Sequence, residues 1–279
     1  MDNKSLEIIS YKIRKHAINA VFSASSGHPG GSLSIADILA VLYFEEMNVN
    51  DPKDENRDRL VLSKGHCSPA LYGALCEKGF INKEDITTFR RTDSYLQGHP
   101  DMKNVPGVDM STGSLGQGVS AACGMALNAK IDSKDYRVYA ILGDGELEEG
   151  QVWEAAMFAP HYKLDNLTIF VDFNGLQIDG NISDVMSPLP IDKKFENFGW
   201  NVIVIDAHSY DEIKDALKKA KETKGKPTAI IAKSVKGKGV SFMENNAAWH
   251  GAAPNEEQYN IAIADLNKKL EELGAEIDG

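Results

Sequence analysis

Two loops of this 279-residue chain carry the oxygen donors from which a metal and anion site can be built. One is Gly143-Asp144-Gly145-Glu146, directly after the apolar run 137–142 (RVYAIL). The other is Asn174-Gly175-Leu176, directly after 166–173 (NLTIFVDF). Asp and Asn oxygens are hard donors of the kind divalent Mg2+, Ca2+ or Mn2+ accepts. Gly145 has no side chain to hold a bulky anion away from the backbone, and the helical stretch that follows offers N–H donors and a favourable dipole. Taken alone, Gly-Asp-Gly reads as a tight strand-to-helix turn capped by Asp. What tips the reading is its pairing with an Asn across the 28 residues 146–173, each group just past a buried strand.

The histidines give a separate signal. Of seven, four sit beside glycine in expected loops: Gly27-His28, Gly65-His66, Gly98-His99 and His250-Gly251. Imidazoles converging on a pocket suit oxygen recognition and proton transfer on a polyol. His16, His161 and His208 read instead as surface or satisfied core residues.

The elements that must position these loops follow from periodicity. Helical spacing runs over 5–24 with Leu6, Ile9, Ile13, Ile18 and Val21, and Gly and Pro break it at 25–32. A second helix is expected from about Ser34, with that serine as its cap. Short apolar runs at 59–62, 137–142, 166–173, 201–205 and 228–232 alternate with helical segments, among them 70–79, 151–159 and 210–222. An amphipathic helix closes the chain from 256. Near-continuous apolar strands imply burial on both faces, hence an α/β fold with a doubly wound, mainly parallel sheet flanked by helices. Residues 1–279 read as one domain. In such sheets ligands bind beyond the carboxyl ends of the strands, which is where both oxygen-bearing loops fall.

Composition narrows the function. Thirty Lys and Arg against 41 Asp and Glu leave a formal charge of −11. That balance argues against non-specific nucleic-acid or anionic-membrane binding. Cys67, Cys76 and Cys123 are odd in number and lack zinc-type spacing. The N-terminus has no apolar core of signal-peptide type, and no apolar run approaches membrane-spanning length. A soluble, cytoplasmic protein is expected. Lys236-Gly237-Lys238-Gly239 does not fit a P-loop.

The stretches SSGHPGGSLSIADIL, RDRLVLSKGHCSPALYGAL, GHPD, STGSLGQGVSAACGMAL, GDGELEEGQVWEAA, DFNGLQIDG and Trp249-His250-Gly251 occur in an order that resembles the N-terminal, diphosphate-binding part of transketolases, from about residue 10 to about 255. The resemblance implies thiamine diphosphate as cofactor with a divalent metal held by Asp144, Asn174 and the Leu176 carbonyl. It implies that His66, Gly145 and His250 contact the cofactor, with Gly113, Ser114 and Leu115 along its ring and Glu149 among the cofactor-site residues. Glu149 and Glu154 also match acidic positions of the family's dimer interface; otherwise they are first-turn helix acids. His28, His99 and His250 are the implied catalytic residues, facing the sugar.

The family's pyrimidine-side carboxylate belongs to a following domain, and only one helix remains after residue 255. The resemblance therefore implies half an active site: the N-terminal subunit of a split transketolase, completed by a separately encoded pyrimidine-binding subunit, with two of each chain. It would transfer a two-carbon ketol unit between sugar phosphates, in pentose phosphate metabolism. Competing expectations are a split ketol transferase for a sulfonated or branched sugar and a non-catalytic scaffold of the same fold. The alpha chain of a 2-oxoacid dehydrogenase also carries the Gly-Asp-Gly and Asn pair, but the four glycine-flanked histidines argue against it.

Overall fold

A computed structural model of the chain describes residues 1–276. Helix α1 (Asn3–Ser23) is capped by Asp2, whose carboxylate accepts from the Ser5 N–H at 2.8 Å. The next segment departs from expectation in part. The break falls at 24–28, but residues 29–34 make a short helix of their own, α2 (Pro29–Ser34); the second helix forms as α3 (Ala36–Val41) and is not capped by Ser34. Pro29 opens α2 at its first position, where a missing N–H costs nothing. The Ser34 hydroxyl is drawn away to Gly31 O and Asp172 Oδ2, so it caps no helix.

Strand β1 (Arg59–Leu62) leads to α4 (Ser68–Glu77) and α5 (Gln117–Ile131). Strand β2 (Val138–Gly143) is followed by α6 (Gly150–His161) and β3 (Leu167–Phe173). After β3 come a two-residue-per-strand hairpin, β4 (Leu176–Gln177) and β5 (Gly180–Asn181), then α7 (Ile182–Val185) and α8 (Ile191–Asn197). The chain continues through β6 (Asn201–Asp206), α9 (Tyr210–Glu222), β7 (Thr228–Lys233) and α10 (Glu256–Glu272). Helix α9 buries Tyr210, Ile213, Ala216, Leu217 and Ala220, one stripe at helical spacing, under a Ser209 cap.

The main sheet has the order β1-β2-β3-β7-β6, with every pairing parallel. Alternate strand residues go to opposite faces. Tyr139 and Ile141 pack with α1, α3, α4 and α9, while Val138, Ala140 and Leu142 pack with α5, α6 and α8. A third cluster seats α10 and the segment after β7 on α1, through Ile18, Leu33, Val240, Met243 and Leu266. Helices thus cover both faces, as the apolar strands required.

Topology places the site. The chain leaves β1 toward the α4 face but leaves β2 toward the α6 face, which opens a crevice between these neighbours at their carboxyl ends. Right-handed crossovers enforce a similar division farther along. The sheet advances from β3 to the edge strand β6 through α8 on one face, then turns back to β7 through α9 on the other. No helix among the described residues is long and apolar enough to cross a membrane.

Candidate active site

The carboxyl ends of β1, β2, β3 and β7 surround a cleft of about 240 Å³. Its floor is organised by two buried carboxylates. Glu146 accepts from the Ser63 hydroxyl and from the N–H groups of Gly116 (2.9 Å) and Gly143 (3.0 Å), tying together the segments after β1 and β2 and the start of α5. Asp172, in the otherwise apolar strand β3, accepts from Lys64 Nζ (2.6 Å), Ser34 Oγ (2.7 Å), Asn174 Nδ2 (3.0 Å) and the Ser234 hydroxyl. Burial opposes its charge, but Lys64 and these hydrogen bonds outweigh that and hold its carboxyl below the usual range. With its amide nitrogen held on Asp172, Asn174 turns its Oδ1 to the Leu176 N–H at 3.1 Å.

Asp144 is 2% exposed, and its oxygens take the N–H groups of Gly145 (2.9 Å) and Gly175 (2.6 Å). Gly175 sits at φ +77°, a conformation that glycine adopts without strain, and so swings its N–H onto Asp144. Burial, then the neighbouring charge of Asp172, lifts the Asp144 carboxyl to about 6. A buried carboxylate pushed this way is short of positive charge, and a cation would restore it. Among the described residues no group of three His, Cys, Asp or Glu is placed to hold a metal. The candidate set is instead one carboxylate with amide and carbonyl oxygens, a hard-donor set suited to Mg2+.

Three imidazoles line the same cleft. The ring centroids of His28, His66 and His250 lie 5.1 Å (His28–His66), 5.5 Å (His28–His250) and 5.2 Å (His66–His250) apart. They come from three places: the residue before α2, the turn Gly65–Cys67 before α4, and the residue after the turn Ala247–Trp249. Burial is the main cause that lowers all three, His28 to about 4, His250 to about 3, and His66 well below 6.5. Arg90 adds to the effect at His28, and Lys64 and Lys236 add to it at His66 and His250. Neutral rings at pH 7 each offer one donor and one acceptor, which suits sugar hydroxyls. His28 Nδ1 and Gln177 Nε2 are buried without a hydrogen-bond partner, and both residues line the cleft.

Of the residues singled out in the sequence, His28, His66, Gly113, Leu115, Asp144, Gly145, Asn174, Leu176 and His250 line this cleft. His99 stands beside it, exposed, with its ring against Gly113. Ser114 is exposed and lies off the wall. Glu149 does not line this cleft: exposed, at an extended position ahead of α6, it packs its Cβ over Gly116. His16, paired with Glu77 at 2.8 Å, and exposed His161 are the satisfied and surface residues expected. His208 is satisfied too, with its ring nitrogens bonded to Asp37 and the Val235 backbone.

Sequence reasoning missed Lys64, Asp172 and Lys236. Lys236 is 2% exposed; its Nζ donates to Leu176 O at 3.1 Å and lies 3.1 Å from His250 Nδ1. Burial, then the charge of Lys64, lowers it. A carboxylate inside the apolar run of β3 and a lysine two places before His66 were the available signals. A roomier hollow of about 590 Å³ lies at the amino end of β2. Two of its three carboxylates are already engaged, Asp58 by the Asn48 and Arg137 N–H groups and Glu46 by Tyr139 and Lys221, while the third, Asp135, is exposed. The chemistry therefore points to the smaller cleft.

Comparison with known proteins agrees with this geometry. The family described as "Transketolase, thiamine diphosphate binding domain" matches residues 5–271. The chain is 47% identical over 259 residues to the 6-deoxy-6-sulfo-D-fructose transketolase subunit of a Clostridium species, covering 92% of this chain and 94% of that one. It is 42% identical over 281 residues to an apulose-4-phosphate transketolase subunit of Phocaeicola vulgatus, covering 100% of both. Human transketolase is 44% identical over 252 residues, 89% of this chain but 40% of that protein. The crystal structure of Campylobacter jejuni transketolase superposes with a TM-score of 0.89 at 36% identity, over 99% of this chain and 44% of that one. The chain thus spans about two fifths of the single-chain transketolases it matches.

Proposed function

The chain belongs to the transketolase family, as its thiamine diphosphate-binding domain, and from that premise we propose that it is the diphosphate-binding subunit of a two-chain enzyme moving a two-carbon ketol unit between sugars. One observation carries the reading: Asp144, a buried carboxylate short of positive charge, lines the same cleft as three neutral imidazoles at the carboxyl ends of the strands. The residues present fit the cofactor. Asp144, Asn174 and the Leu176 carbonyl would hold a divalent metal, Mg2+ by preference and Ca2+ or Mn2+ in exchange. The Gly145 N–H, His66 and the Lys236 ammonium would meet the diphosphate. Leu115 would give the ring an apolar surface.

Bound there, thiamine diphosphate supplies a nucleophilic ring carbon and an electron sink for the two-carbon unit. The chain's own work is binding and proton handling. His28 and His250 are neutral at pH 7, so each can accept a hydrogen bond from a sugar hydroxyl at one ring nitrogen, donate one from the other, and relay a proton between them and the sugar. The same rings and His99 at the mouth would hydrogen-bond the donor's hydroxyls and its developing oxyanion.

Both relatives that align over nearly their full length are named as subunits. That supports a separately encoded partner subunit; in the proposal, this partner binds the pyrimidine, two copies of each chain assemble, and the reaction is cytoplasmic. The whole chain, from residue 1 to 279, would act as one domain in it. Those relatives are named for a sulfonated sugar and for apulose 4-phosphate, which favours a second reading of the substrate: a sugar other than the usual pentose phosphates. The test is reconstitution. The purified chain, a candidate partner and the mixture are assayed with thiamine diphosphate, Mg2+ and a panel of ketose phosphate and sulfonate donors. Turnover is expected only from the mixture; turnover by the single chain refutes the split-site reading.

A further inference from the structure

His208 lies just past β6, with its side chain 15% exposed, outside the cleft wall. Its Nδ1 is 2.7 Å from Asp37 Oδ2, and its Nε2 is 3.0 Å from the Val235 nitrogen. A backbone N–H only donates, so Nε2 accepts and the ring proton sits on Nδ1, donated to Asp37. Asp37 is itself fixed. Its oxygens take Arg14 at 3.0 and 2.6 Å and the Tyr210 hydroxyl at 2.6 Å, and Ser10 braces both Arg14 and Tyr210. Burial opposes the charge of Asp37, but Arg14 and the bond from His208 outweigh it, so this residue is a permanent acceptor.

The far end of this chain of bonds is the turn after β7. The Ser234 hydroxyl donates to Asp172, the Val235 N–H donates to His208, and the Gly237 N–H donates to Gly30 O at 2.9 Å. Between these anchors Lys236 reaches back to the Leu176 carbonyl and His250. A lysine has four rotatable bonds, so its ammonium is only as well placed as the backbone that carries it.

We propose that His208, oriented by Asp37, is a positioning residue that fixes the 234–236 turn and thereby holds the Lys236 ammonium at the diphosphate end of the cleft. The proposal rests on the reading of that cleft as the cofactor site. It adds a role to a histidine that the sequence reads as a surface or satisfied core residue.

The test uses the full chain with its partner and two variants. His208→Asn keeps a nitrogen where Nδ1 donates to Asp37 but stops short of Val235. His208→Gln sets an amide oxygen as many bonds from Cα as Nε2, within reach of the Val235 N–H. Melting temperature, deuterium exchange at the Val235 amide, thiamine diphosphate affinity with Mg2+, and kcat at saturating cofactor are measured for each. In the Asn variant the Val235 amide should exchange faster and cofactor affinity should fall about 10-fold, in the range for groups that support a ligand-binding residue. Its kcat at saturation and its melting temperature should stay near wild type, and the Gln variant should recover both lost properties. Wild-type exchange and affinity in the Asn variant overturn the brace. If the wild type itself binds no thiamine diphosphate, the reading of the cleft fails instead, and Val235 exchange in Asn against Gln still decides whether His208 holds the turn.

Discussion

Replacing Asp144 by Asn should raise the stability of the cofactor-free chain while removing its cofactor site. The carboxyl is lifted from an ordinary 3.8 to about 6, by burial first and the Asp172 charge second. At about 1.36 kcal/mol per pH unit, keeping it ionised in the fold costs about 3 kcal/mol at pH 7.5. The folded state binds more protons than the unfolded between those two values, so this group makes stability fall as pH rises from about 4 to about 6, with the full cost present above. Asn removes the charge but offers one oxygen to two N–H donors, Gly145 and Gly175, and the unmet donor returns about 1–2 kcal/mol. The net expectation at pH 7.5 is a gain of about 1–2 kcal/mol, or roughly 2–6 °C in melting temperature. At pH 4.5 the wild-type carboxyl is protonated, the gain disappears and the variant melts no higher than wild type. Thermal melts in chelator across pH 4.5–7.5 measure this, and calorimetric titration with thiamine diphosphate and Mg2+ measures the loss. Affinity should drop by more than the ~10–100-fold typical when a group that merely supports a ligand is changed. A variant that melts below wild type at pH 7.5, or whose advantage is the same at both ends of the pH range, refutes the account of Asp144 as a strained anion. Unchanged cofactor affinity refutes it as a metal ligand.

Other consequences can be checked on the assembled enzyme and on the chain. His28→Ala, His99→Ala and His250→Ala should each lower kcat/KM by ~10²–10⁴ at wild-type melting temperature, whereas His161→Ala, on the exposed end of α6, should leave both unchanged; steady-state assays with equal losses at all four positions would count against the cleft. Asp172→Asn leaves the Lys64 ammonium buried without its counter-charge, so a denaturant midpoint corresponding to a loss of about 3–5 kcal/mol is expected, and a wild-type midpoint would contradict the buried pair. Asn174→Ala should weaken cofactor binding less than Asp144→Asn, since it removes a neutral donor; titration showing the reverse order would reassign the ligands.

The strands and the loops after β2 and β3 were legible because their signal is local. Runs such as VYAIL and TIFV are apolar on both faces, and only a sheet covered by helices on two sides buries them. A carboxylate or amide immediately past such a run must emerge at the carboxyl edge, so Asp144 and Asn174 could be placed from the chain's pattern alone. Glycine beside His28, His66 and His250 likewise marked loops. The segment 29–34 was misjudged for a physical reason of the same kind: glycine and proline suggested a break, while the tertiary environment stabilised a short helix there by burying every residue of α2.

Partner identity was not legible. Lys64 meets Asp172 across 108 residues, Ser34 meets Asp172 across 138, and His208 meets Asp37 across 171. Periodicity reports which face of an element is buried, with a reach of a few residues. Which charged group is buried beside which depends on strand order and on the face each crossover takes, and these are properties of the closed sheet. The sequence by itself therefore determined the type of fold, its strand-end chemistry and its family resemblance. The tertiary structure alone decided that Lys64, Asp172 and Lys236 join the site and that His208 is locked between Asp37 and Val235, because only folding brings those groups within hydrogen-bonding distance.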